Sequence, residues 1–148
     1  MIKPALHAAC LAYLQQRIDA AQAAMHAAQE SANSETKSSA GDKYETGRAM
    51  AQEERNRNAV QLREALNLRA ELERIDSEKP CDTVRPGALV TTGMGRFYLS
   101  ISAGKLLLDG IEYFAVSAAA PVAAALSGKR VGQEAVFNGK KIRIEAVE

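Results

Sequence analysis

Two carboxylates three residues apart, Asp42 and Glu45 in Gly41-Asp42-Lys43-Tyr44-Glu45, stand where one long helical pattern stops and another begins. Side chains three apart share a helix face, and carboxylate oxygens are the hard ligands that Mg²⁺ takes. Two of them do not complete a site, so the remaining ligands must come from a partner. The same residues also have the form of a capping box, with Asp42 as N-cap and Glu45 reaching back to its backbone. Both readings put acidic side chains at the exposed tip of a helical hairpin.

The rest of the chain offers little other chemistry. His7 and His26 both fall in the first helical pattern, and residues 80–148 contain no His. The hydroxyls there have no evident base to activate them, so an independent hydrolase or transferase is hard to build. Cys10 and Cys81 have no metal-binding spacing and read as structural thiols in a reducing compartment.

Composition divides the 148 residues into two expected domains, 1–79 and 80–148. The first is rich in Ala, Gln, Glu and Arg, whereas the second holds eight of the ten Gly and most of the Val, Phe and Tyr. With 5% aromatic residues and no Trp, one large core is not expected. Lys and Arg against Asp and Glu number 11 to 12 in residues 1–79 and 8 to 6 in residues 80–148. Neither half carries the basic footprint of a nucleic-acid binder, and no sequence-specific DNA binding is expected. The run from Ala5 to Leu14 superficially resembles a secretion signal, but His7 interrupts it and the pattern continues into an Ala-rich helix. No stretch is long and apolar enough to span a membrane, so a cytoplasmic protein is expected.

From residue 4 to about 33, His7, Leu11, Leu14, Ile18, Ala21, Met25, Ala28 and Ala32 recur in steps of four and three, a coiled-coil seam. The seam shrinks to Ala toward residue 32, which lets a partner helix approach closely. That partner is a second helix over about 43–77, with Leu62, Ala65, Leu66, Leu68, Leu72 and Ile75 as apolar positions. Ser34 to Gly41 supplies the turn between them. Thirty helical residues make an arm of roughly 45 Å.

After Pro80 and Pro86, short strands are predicted at 88–92, 96–101, 105–108, 111–116, 134–137 and 140–147, separated by Gly turns. Asn138-Gly139 is a strong hairpin turn. Pro121 opens a short helix through Leu126, closed by Gly128. The fold class is α+β: an antiparallel coiled-coil hairpin, then a small antiparallel sheet with one helix.

The segment from Ser117 to Gly132 resembles the C-terminal signature of the Gre transcript-cleavage factors, matching it at Ser117, Pro121, Val122, Ala123, Leu126, Gly128, Lys129 and Gly132. Gly41-Asp42-x-x-Glu45 reproduces the spacing of that family's hairpin tip at a similar distance from the N-terminus. The chain departs from the family just after it, where Asn-Ala-Glu-Tyr is replaced by Thr46-Gly47-Arg48-Ala49. The first 35 residues match only in length and pattern.

The resemblance implies an FKBP-like second domain without prolyl isomerase activity, docked at the rim of the secondary channel of RNA polymerase. Ser117, Pro121, Leu126, Gly128 and Lys129 are the partner-binding residues it implies. It further implies that the coiled coil enters the channel and that Asp42 and Glu45 help hold a second Mg²⁺ in the polymerase active centre. The polymerase then cleaves backtracked RNA, whose 3′ end the factor meets only indirectly. On this reading the chain is not an enzyme and binds no metal by itself. Two alternatives stay open: a Gre-like regulator that occupies the channel without stimulating cleavage, and a coiled-coil scaffold or oligomerisation protein with an FKBP-like binding module.

Overall fold

A computed structural model describes the chain at residues 2–38 and 42–148, and its side chains at residues 2–33 and 45–148. The chain forms two compact units, one made of residues 14–68 and the other of residues 1–13 with 69–148. Among the described residues no helix is long and apolar enough to cross a membrane.

Helix α1 runs from Lys3 to Ser38 and helix α2 from Asp42 to Glu73. Pro4 sits in the first turn of α1, where its missing N–H costs nothing, and the Ala-dense sequence that follows contains no Gly before residue 41. The helix continues through Ser34–Ser38, which the Ser content had suggested as turn. Ser is only a mild helix breaker, and the helix already formed carries through it. Of the expected turn, Ser39, Ala40 and Gly41 lie outside the described residues. Helix α2 ends four residues earlier than its pattern suggested. Its last turn tightens through Arg74 N–H to Glu71 O (3.2 Å) and Ile75 N–H to Leu72 O (3.0 Å). Asp76 Oδ1 then accepts the Glu78 N–H at 2.9 Å, a local turn that competes with helix.

In the unit of residues 14–68 the two helices pack as a hairpin. Leu14, Ile18, Ala21, Ala28 and Ala32 of α1 are buried, as are Ala51 and Ala65 of α2. A shallow groove lined by Ala20, Ala21 and Ala24 with Asn58 and Gln61 places those segments side by side, as an antiparallel pair requires. Small residues at the seam let two helix backbones come close, with little apolar area per residue to hold them.

The other unit is built on a six-stranded sheet. Its strands are β1 (Leu89–Thr92), β2 (Gly95–Ser100), β3 (Gly104–Leu108), β4 (Ile111–Ser117), β5 (Glu134–Phe137) and β6 (Lys140–Val147), in the order β3-β4-β2-β1-β6-β5. A third helix, α3, spans Pro121–Leu126. Two-residue turns with left-handed backbone at both positions, Asp109-Gly110 and Asn138-Gly139, close the β3–β4 and β5–β6 hairpins.

The sheet is mixed rather than wholly antiparallel: β4 runs parallel to β2, with Phe97 beside Phe114 and Ser100 beside Ser117. After β2 the chain steps past the end of β4 in three residues, Ile101-Ser102-Ala103, and β4 then fills the gap between β2 and β3. The step spans two strand spacings, roughly 10 Å, which four virtual bonds of about 3.8 Å cover. A Gly turn specifies a reversal but not whether the returning strand lies adjacent.

Alternation along β2 sends Phe97 and Leu99 to one face and Tyr98 and Ser100 to the other. On the first face Phe97 and Leu99 join Val84, Val90 and Ile144 in a core closed by Ala123 and Leu126 of α3. The second face meets the first turns of α1. Lys3, Leu6 and Cys10 are buried there, with His7 half-buried beside them, at the spacing of one helix face. The expected coiled-coil seam therefore does not extend to the start of α1. Leu11 is 40% exposed, because residues 3–10 pack on the sheet with a different stripe.

Candidate functional site

Asp42 is the first residue of α2 and Glu45 lies one turn further on. Glu45 is exposed, as are Thr46, Arg48, Ala49 and Met50 after it. The Asp42 side chain lies outside the described residues, and so does the residue that precedes it, so the capping bond does too. Acidic groups in the first turn are favoured there by the helix dipole. Gly47 does not interrupt α2, although it weakens that turn by about 1 kcal/mol relative to Ala.

Asp42 and Glu45 are three positions apart in the first turn of α2, and carboxylates are residue types that can ligate a hard cation. Among the described residues there is no group of three or more His, Cys, Asp or Glu that could hold a metal.

The second set of expected residues lies along the exit from β4 and through α3. Ser117 closes β4, and its carbonyl accepts the Ala120 N–H at 3.0 Å. Pro121 occupies the first turn of α3, exposed, with its ring presented to solvent rather than to the core. Leu126 is fully buried, and its part is to hold α3 on the sheet. Gly128 has φ +76°, and its N–H donates to Val84 O at 2.8 Å. The Lys129 carbonyl in turn accepts the Val84 N–H at 2.9 Å, while its side chain remains partly exposed. Much of this motif thus encodes local structure: a capped strand, a one-and-a-half-turn helix and a left-handed exit tied to Val84. Of the five expected partner-binding residues, Pro121 and Gly128 are exposed, Ser117 and Lys129 are partly exposed, and Leu126 is buried.

Two features escaped the sequence reading. The Lys3 ammonium is buried and donates to Lys79 O at 2.6 Å and Gly87 O at 3.0 Å, joining the start of α1 to the segments on either side of the second proline. Cys10 Sγ lies 3.7 Å from Ser100 Oγ, and burial pushes its thiol above the ordinary range, Ser100 opposing in part. A desolvated thiol of this kind is unreactive. Residues separated by 76 to 90 positions leave no local signal of such pairings.

No family model and no curated protein matches the sequence. Among solved structures the chain is similar to the GreA factor homolog 1 (Gfh1) protein of Thermus thermophilus, at 19% identity and a TM-score of 0.36, covering 91% of this chain and 92% of that one. A second structure, of the transcription factor Gfh1, is similar at 21% identity and a TM-score of 0.36, with 90% of each chain covered. At that identity and TM-score the likeness decides nothing about what this chain binds.

Proposed function

We propose that this chain is a Gre-type factor that binds RNA polymerase and delivers the tip of its helical hairpin to the polymerase active centre. The observation that carries this reading is the pair Asp42 and Glu45, one turn apart at the start of α2, on a hairpin whose chain continues into a sheet domain bearing the Ser117–Gly132 signature. Asp42 and Glu45 would hold a Mg²⁺ shared with the polymerase. Held there, Mg²⁺ would supply charge stabilisation to an attacking or leaving oxygen in phosphodiester cleavage. The hairpin's own contribution is to bring two anionic groups on the first turn of α2, and the bond-breaking machinery belongs to the polymerase.

A regulator that occupies the channel without stimulating cleavage is the second reading. It is favoured by Thr46-Gly47-Arg48-Ala49, which places a cation beside the tip carboxylates where the related pattern has an acid. Stalled, backtracked transcription complexes separate the two. Wild-type protein should shorten the RNA from its 3′ end in the presence of Mg²⁺, and the Asp42→Asn/Glu45→Gln chain should bind and fail to do so. Binding without cleavage by the wild type would establish the regulator, and no binding would remove both.

A further inference from the structure

We propose that two copies of this chain associate through the β3 edge, as an antiparallel β3–β3 pair centred on Leu107. Strand β3 is terminal in the sheet order. Its hairpin with β4 pairs Leu108 with Ile111 across a two-residue turn. In such a turn the flanking pair is hydrogen-bonded and the next is not, so the backbone groups of Lys105 and Leu107 point away from β4. They form an open ladder of N–H and C=O groups.

Edge strands are ordinarily protected by charged side chains, Pro, bulges or coverage. This one carries a single charge, Lys105, near its start and then Leu106-Leu107-Leu108, with no Pro and no bulge in its pairing with β4. Leu107 is 66% exposed on one face of the sheet, and Ile111, opposite Leu108, is 39% exposed on the other. Lys105 is held along β4 by Glu112 at 2.7 Å. A strand added at this edge covers apolar surface on both faces of the sheet.

The occupant follows from the register. An antiparallel pair with its two-fold axis at Leu107 brings together the outward-pointing backbone groups of Leu107 in each copy. The same register brings Lys105, already beside Glu112 of its own chain, near the second copy's Asp109, the first residue of the β3–β4 turn, twice by symmetry, so opposite charges meet at both ends of the pairing. A two-fold interface must match its own surface in this way. The pairing spans only a five-residue strand, so the association is concentration-dependent.

Sedimentation equilibrium of the full chain tests this. The weight-average mass should rise with concentration from the monomer's 15.9 kDa toward twice that value. Leu107→Lys and Leu107→Glu should each remain monomeric over the same range, because each sets like charges together across the axis. Mixed in equal amounts, the two should recover dimer, which follows only if residue 107 meets itself. Asp109→Asn, which keeps a residue tolerant of left-handed backbone, should weaken the wild-type association several-fold, and it remains a test if the charged variants fail to fold. A wild-type mass fixed at the monomer value, association that survives either charge at 107, or a mixture that stays monomeric overturns the proposal.

Discussion

His7 Nδ1 lies 3.1 Å from the hydroxyl of Tyr98, so a side chain from the second turn of α1 meets the centre of β2 across 91 residues of sequence. The rings are edge to face, 6.5 Å apart at 74°. Tyr98 is fully buried, and its phenol is pushed well above its ordinary value by burial first and by nearby Cys10, Cys81 and Asp76 after it. A buried neutral phenol needs a partner, and His7 is within reach to be one.

Burial lowers the His7 pKa from 6.5, with the Asp76 carboxylate pulling the other way. Between the folded value and 6.5 the unfolded chain binds more protons than the folded one, so stability rises with pH there. Urea midpoints should therefore fall as the pH drops below about 6.5 and level off once it passes the folded value. His7→Gln should flatten that part of the profile. A wild-type profile with no slope in that interval contradicts the assignment.

Lys3→Ala should cost about 1–3 kcal/mol, since it leaves the buried Gly87 carbonyl and the part-buried Lys79 carbonyl without their donor. Lys3→Met, which fills the space but cannot donate, should be nearly as costly. Chemical denaturation with unchanged slope is the measurement, and a cost near zero for both would mean that water replaces the ammonium.

Leu126→Ala should destabilise by about 2–5 kcal/mol through a cavity under α3. Lys129→Ala should change stability by less than about 0.5 kcal/mol, because its backbone makes the bonds and its side chain is partly exposed. On the proposed function, weakened polymerase binding by Lys129→Ala at unchanged Tm reports docking, whereas any loss with Leu126→Ala must first be corrected for unfolding.

Asp42→Asn alone separates capping from metal binding at the tip. Asn caps as well as Asp, so Tm should hold within about 1 °C, a shift corresponding to a few tenths of a kcal/mol. Cleavage of backtracked RNA should nevertheless fall at least tenfold, because an amide oxygen is a neutral, weaker ligand for Mg²⁺. Unchanged cleavage would leave Asp42 as a helix-start residue only.

Local chemistry made most of the elements legible in the sequence. The six strands fall within one residue of the expected bounds, and α3 coincides with its expected range. Alternation, Asn-Gly and Pro-first, Gly-last signals act over a few residues and do not depend on distant neighbours. The acidic pair at a helix start was equally local, as was the shrinking seam through Ile18, Ala21, Ala28 and Ala32. Tertiary packing decided which stripe of α1 is buried at residues 3–10, because the sheet and not a second helix covers it there. It also decided that β4 enters parallel beside β2, and that Leu126 spends its side chain on the core while Pro121 and Lys129 keep theirs at the surface. Each of those outcomes depends on which distant surface competes best for the same side chains, and neither residue type nor spacing encodes that.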